Sequence, residues 1–369
     1  MSALARPPQP SVALAPLPAA ARVDWVDGAR AIGILLVMVG HLQGLPTWLG
    51  QLICSMHVPL FFWLSGWLCD PAGGAGSART GVAATLRRLA VPYALFFGLS
   101  WAYWMLTRGH PARSIDHGAL HGSEPWVGFV LGIGPQMIVN PTLWFFPCLI
   151  ATTIAFGLLT RSAARVGAGS AAATGAITVF AAALLAILPA PSARWPWGLD
   201  IVPSALLLFA LGHACRIVWP VLAAGVVRTG VAASLGWSVV AAAWAAAALA
   251  RGPVDLQYLE YGGSPWAFVV VALLGIAAVL RVAHCLPVGP TVRWLSRNTL
   301  ILFPTHVILY NLLPGIGKAL VGWDAATLHS AGGQLAILAA TLVLSVPTVA
   351  VCRRLLDAAD AWVVRMRRF

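Results

Sequence analysis

The sequence predicts an all-α protein that crosses a lipid bilayer about ten times, with both termini in the cytoplasm. Three observations predict it. First, the chain of 369 residues is 60% hydrophobic and 9% charged, with a mean hydropathy of +0.84. Soluble domains carry about 25% charged residues, so a chain this poor in charge cannot cover itself in water and must face lipid. Second, apolar runs of roughly 20 residues, long enough to cross a hydrocarbon core of about 30 Å, recur from end to end. Third, basic residues collect on alternate connections. With both termini inside, 18 fall on the inner side against 5 on the outer: Arg108, Arg113, Arg194, Arg251 and Lys318. That is the bias that orients membrane helices. It also accounts for the net charge of +12, so no nucleic-acid partner is implied.

The elements follow in order. Residues 1–22 are Pro/Ala-rich and lack an apolar core bounded by a cleavage site, which reads as a disordered cytoplasmic leader. Spans are expected at 29–47, 51–69, 86–107, 142–160, 171–190, 201–219, 229–250, 264–283, 294–315 and 333–352. The Gly/Pro-interrupted stretch 126–139 suits an interfacial or re-entrant piece. It belongs to the outer loop 108–141, where His110, Asp116, His117, His121 and Glu124 make a solvated loop or a lid over an outward-facing site. Residues 23–352 are expected as one membrane domain, and 353–369 as a short basic cytoplasmic tail. No 20–50-residue repeat is visible, which disfavours an inverted-repeat transporter. Cys54, Cys69, Cys148, Cys215, Cys285 and Cys352 are scattered without a C-x-x-C pair, so neither a disulfide framework nor a zinc site is indicated.

Within the first span, "RAIGILLVMVGHL" sets Arg30 and His41 eleven residues apart. In a helix that is about 16 Å along the axis and only ~20° around it. With Arg30 at the inner rim, His41 is expected a little past the midplane. "HVPLFFWLSGWLCD" runs inward from His57 to Asp70 over about 20 Å, which brings His57 to a similar depth from the other direction. His306, in "LILFPTHVILY", lies about 14 Å beyond Arg297 and on the opposite face from it. Ionisable groups inside a bilayer face a cavity or a partner. Three mid-depth histidines therefore imply a polar interior, although an interhelical hydrogen bond is the plainer role for each. A near-neutral pKa suits histidine to general-base work.

The flanking residues are less specific. Asp24 and Asp27 favour the dipole at a helix N-terminus, and orienting Arg30 is the alternative role for Asp27, three residues away. Arg87 and Arg88 flank the third span, where topology alone puts basic residues. Ser65 lies ~80° around the helix from His57 and is poorly set for a dyad, whereas Cys54, three residues before His57, is better placed. "PTLWFFP" opens the fourth span at the outer face. Trp144 there belongs either to an interfacial aromatic belt or to the lining of a substrate passage.

"VDWVDGARAIGILLVMVGH", "HVPLFFWLSGWL", "LRRLAVPY", "TLWFFP" and "RNTLILFPTHVILY" resemble, in that order, elements of the acyltransferase 3 family of integral-membrane acyltransferases, most nearly its fucose 4-O-acetylase-like branch. The resemblance spans residues 22–352 and is most specific in the first two spans, where a basic residue, ten residues and then histidine fall on Arg30 and His41. It implies O-acylation of a carbohydrate hydroxyl in a bacterial inner membrane, with acetyl-CoA as donor and no metal. His41 would be catalytic, with His57 as the second candidate. Arg30 would contact the donor's phosphates, which guanidinium groups suit, and Arg87 and Arg88 lie on the same inner side. Trp144 and His306 are the candidates for the acceptor. A lipid-linked or surface polysaccharide, such as a xanthan-like repeat, is the acceptor expected from analogy. Direct base catalysis and an acyl-histidine relay stay open. A proton-coupled transporter or flippase would favour carboxylates at mid-membrane depth, and none of the 11 acidic residues clearly sits there. A haem or metal site would need ligand spacings that the three histidines do not match.

Overall fold

The computed structural model describes residues 23–69, 78–108, 121–188, 191 and 193–366. Its first helix, α1 (Asp24–Gly40), is followed by α2 (Thr47–Cys54), α3 (His57–Leu68), α4 (Ala78–Thr107) and α5 (Glu124–Leu131). Next come α6 (Phe145–Arg165), α7 (Ser170–Ile187), α8 (Val202–Val227) and α9 (Val231–Leu249). A small antiparallel hairpin, β1 (Val254–Asp255) with β2 (Glu260–Tyr261), pairs Val254 with Tyr261 and Asp255 with Glu260. The chain ends with α10 (Pro265–Cys285), α11 (Pro290–Arg297), α12 (Thr299–Ile316), α13 (Ala325–His329) and α14 (Ala331–Met366).

Among the described residues, nine stretches are long and apolar enough to cross a membrane, and they coincide with the second to tenth expected spans. The protein is an all-α polytopic membrane protein. The first expected span falls on α1, which has 17 residues, about 25 Å at 1.5 Å per residue. This corrects the expected 29–47: the helix begins at Asp24 and stops at Gly40. The cause is local. Gly44 adopts φ +72 and Pro46 precedes α2, so the chain turns where the sequence still reads as apolar. The second span is also broken, between Cys54 and His57. Within 353–369, expected as a short basic cytoplasmic tail, α14 continues through to Met366. The leader 1–22 and His110, Asp116 and His117 lie outside the described residues.

The core gathers around α1, which packs against α3, α10, α11 and α12 and buries Ala29, Ala31, Ile34, Val37 and Met38. By contrast, only 6% of the apolar window of α9 is buried, which marks a lipid-facing helix. The α3–α8 pair is set by two glycines. A Cβ on Gly66 would lie 1.8 Å from the Phe209 carbonyl oxygen, and one on Gly212 would lie 2.0 Å from that of Trp63. Small residues that let backbones approach are how helices associate where lipid removes the hydrophobic drive.

Polar contacts fix the end of the bundle at which α1 starts. Ser296 donates to Asp27 at 2.5 Å, and Arg293 lies 3.7 Å from Asp24, so α11 is tied to the start of α1. Arg216 donates to the Cys69 carbonyl at 3.0 Å, a cation on the last carbonyls of α3.

Candidate functional site

The breaks in α1 and in the α2–α3 span bring histidines to cavity walls. Non-helical backbone at membrane depth persists where it lines a cavity or is buried in protein. His41 is the residue that ends α1, with φ −97 and ψ 2, and not one inside a longer helix as the sequence suggested. His57 is the first residue of α3. His306 lies within α12, four residues before Tyr310 and so on the same face.

All three rings use the same local bond. Nδ1 of His41 is 2.8 Å from the Val37 carbonyl, that of His57 2.8 Å from Ile53, and that of His306 3.1 Å from Leu302. A carbonyl only accepts, so Nδ1 carries the proton in each neutral ring and Nε2 holds the basic lone pair. The rings differ in access. His41 is exposed, while His57 is 7% and His306 0% exposed. His41 meets His306 edge-on with ring centroids 5.0 Å apart, and His306 meets Tyr310 at 5.4 Å. Tyr310 in turn donates to the Met38 carbonyl at 2.8 Å, holding the end of α1 against α12.

Two cavities share His41. One, of about 210 Å³, is lined by His41, Cys54, His57, Trp144, Asp255 and Phe303 among others. The other, of about 260 Å³, runs from His41 past Gln43, Tyr310, Asn311, Lys318, His329 and Gln334. His306 lines neither. The acceptor-contact role expected for it meets a buried ring behind His41, whose Nε2 has no hydrogen-bond partner among the described residues. Trp144 does line the first cavity and is 6% exposed, so it is not part of an interfacial belt. A network holds that wall: Asn140 donates to Ser100 at 3.0 Å and to the Pro304 carbonyl at 2.9 Å, and Thr142 donates to Asn140 at 2.7 Å.

Asp255 and Gln257 were not legible as site residues, because they come from a loop between spans. The Asp255 carboxylate accepts from the Gln257 backbone N–H at 2.8 Å, and the Gln257 side chain donates to the Gly134 carbonyl at 2.7 Å. Arg194 bonds both the Gln257 carbonyl and Asp200, lying 2.5 Å from the latter. The hairpin thus closes over the histidine cavity, and burial holds the Asp255 carboxyl above the usual carboxylate range.

A third cavity, of about 350 Å³, opens nearer the other end of the bundle. Arg30, Ser65, Cys69, Arg88, Thr153 and Leu300 are among its lining, and no described carboxylate is. Arg30 and Arg88 therefore meet at one cavity, while Arg87 is exposed and does not line it. Ser65 and His57 belong to different cavities, whereas Cys54 and His57 share one. Along α3, α6 and α12, Phe61, Phe145 and Phe303 stand between the arginine cavity and the histidines. The Phe145 and Phe303 rings are 5.2 Å apart, and Phe61 lies 6.2 Å and 6.4 Å from them. Among the described residues, no group of three or more His, Cys, Asp or Glu side chains is arranged to hold a metal ion.

A family model described as an acyltransferase domain matches residues 23–352. Neither the search of curated proteins nor that of solved structures returned a match.

Proposed function

The chain belongs to the acyltransferase 3 family, and we propose that it moves an acetyl group from cytoplasmic acetyl-CoA to a hydroxyl of a lipid-linked or surface polysaccharide, with His41 as general base. It is a multi-pass membrane acyltransferase; the donor, the acceptor, the bacterial inner membrane and the base are the proposal. The observation that carries it is the position of His41. Of the three clustered histidines it is the exposed one, it borders both outer cavities, and its tautomer leaves Nε2 basic.

Acetyl-CoA supplies an activated thioester and a polyanionic handle. The Arg30 and Arg88 cavity suits that handle, because two guanidinium groups border it. Arg30 and His41 are about 16 Å apart along α1, so the donor's arm must pass the Phe61, Phe145 and Phe303 layer to bring its acyl carbon to His41. There His41 Nε2 takes the acceptor hydroxyl proton as the oxygen bonds to the acyl carbon. The Val37 carbonyl, accepting from Nδ1, steadies the imidazolium that forms. The proton then passes to the departing thiolate, which returns His41 to its starting state. His57 and Trp144 shape the wall of that cavity.

General-base assistance contributes about 10²–10⁴-fold. His41→Ala is therefore expected to lower acetyl transfer by about that factor, read as polysaccharide acetyl content by NMR in a deletion strain at matched protein level. Full acetylation by a folded His41→Ala protein would remove the base from the reading.

A further inference from the structure

Proton transfer at His41 makes no use of one feature of the second outer cavity, its charge. The polar side chains along it are Gln43, Tyr310, Asn311, Lys318, His329 and Gln334, and no carboxylate is among its described lining residues. The cavity on the other side of His41 holds Asp255. The two spaces that meet at the base therefore differ in sign.

Lys318 is the one lysine of the chain; every other basic residue counted with it is arginine. It is half-buried and lies in a π-helical turn, Gly317–Val321, that continues α12 beyond His306 and Tyr310. Such turns are rare, and they are frequent at functional sites. This one is built into the fold: a Cβ on Gly317 would lie 2.4 Å from the Trp323 ring, and the Trp323 N–H donates to the Gly317 carbonyl at 3.1 Å. Lys318 makes no ion pair with another described residue. A partly desolvated ammonium costs free energy unless an anion pairs with it. Around it, Asn311 and the Gln43–Gln334 pair offer the amide groups that suit sugar hydroxyls.

We infer that the acceptor is anionic: a carboxylate or phosphate on the glycan binds Lys318 while the hydroxyl to be acylated lies at His41 Nε2. This rests on the acyl-transfer reading above and names the class of acceptor it takes. The cation fixes the sugar's register, so that one hydroxyl and not its neighbours reaches the base.

The single lysine makes the test direct. Reductive methylation with ¹³C-formaldehyde keeps the charge and gives a dimethyl-lysine resonance, assigned by its absence in Lys318→Arg. The full-length protein in lipid nanodiscs is titrated with glucuronate, glucose 1-phosphate and glucose at equal ionic strength. The expected result is that the resonance moves with at least one charged sugar at concentrations where glucose leaves it still. Movement with glucuronate assigns a uronic acid, and movement with glucose 1-phosphate assigns the phosphate end of a lipid-linked glycan. Equal movement with all three, or none, overturns the inference. In acyl transfer, Lys318→Gln is expected to raise the KM for cellobiouronate by about tenfold, with kcat kept, and to leave transfer to cellobiose unchanged. Equal loss with both sugars would make Lys318 merely structural. A resonance that responds in a protein transferring no acyl group to any of these sugars would sink the acyltransfer reading of the site and leave the anion site standing.

Discussion

At His41, His57 and His306 the sequence shows three equal histidines, and the fold makes them unequal. Each gives its Nδ1 proton to the carbonyl four residues back, so each is held as the same tautomer, and exposure alone separates a base from a packing residue. The spacing from Arg30 to His41 and the matched depth of His57 could be read from helical geometry. The contact between His41 and His306 could not, because nothing in one helix fixes its lateral neighbours. Tyr310 was within reach, four residues after His306, yet its partner, the Met38 carbonyl, lies on another helix. Tyr310→Phe removes that donor and is expected to cost about 1 kcal/mol, read as a lowered melting temperature in detergent, with acetyl transfer reduced far less than in His41→Ala. A Tyr310→Phe protein as stable as the parent would show that the bond does not hold α1. Asp255 gives a pH signature. Its folded pKa is raised by burial, so the folded chain holds its proton more tightly than the unfolded one. Stability is then lost as the pH rises from the unfolded toward the folded pKa, and the loss is complete above the latter. Asp255→Asn keeps an acceptor for the Gln257 N–H and is expected to raise the melting temperature at neutral pH but not near pH 3. A gain that is the same at both values would locate the effect in packing.

Helices were legible as elements because lipid selects for long apolar runs, and nine of the ten expected spans coincide with apolar helices of the fold. Their ends and breaks were less legible. The end of α1 at Gly40 and the break before His57 are set by turns inside apolar sequence, where hydropathy carries no signal. Helix contacts were hidden for a related reason: a glycine in a membrane helix looks the same whether it faces lipid or another backbone. Gly66 and Gly50 separate the two cases. Gly66→Ala must displace the Phe209 carbonyl, since its Cβ would sit 1.8 Å away, whereas Gly50 has nothing within 4 Å. Overpacking of a tight contact costs about 1–3 kcal/mol and sometimes more, and a backbone obstacle leaves little room to relax. Gly66→Ala is expected at the top of that range, with loss of folded protein in detergent-resistant yield. Gly50→Ala is expected to be neutral or to stabilise α2 by up to about 1 kcal/mol. Similar yields for the two would mean that α3 and α8 do not meet at Gly66.

On the scale of the whole molecule, function depends on which cavity faces which compartment. In the orientation expected from the arginine distribution, Arg30 and Arg88 face the cytoplasm, and the helix order carries His41, the Asp255 hairpin and Lys318 to the opposite side. The two ends differ in chemistry: guanidinium groups at one cavity, histidines with a carboxylate and an ammonium at the others. Cys285 tests it without a new cysteine. It is exposed at the end of α10, the helix that leaves the hairpin and runs back across, so the orientation puts it in the cytoplasm. A membrane-impermeant maleimide is expected to label Cys285 in inverted vesicles and to leave it unlabelled in right-side-out ones, with Cys285→Ser removing that label. The hairpin gives the converse reading through Tyr258→Cys, a 52% exposed position expected to label from outside only. If Cys285 labels from outside, the arginine cavity faces away from the cytoplasmic CoA pool. The donor site must then move to the histidine side, and the path past Phe61, Phe145 and Phe303 has no part in the transfer.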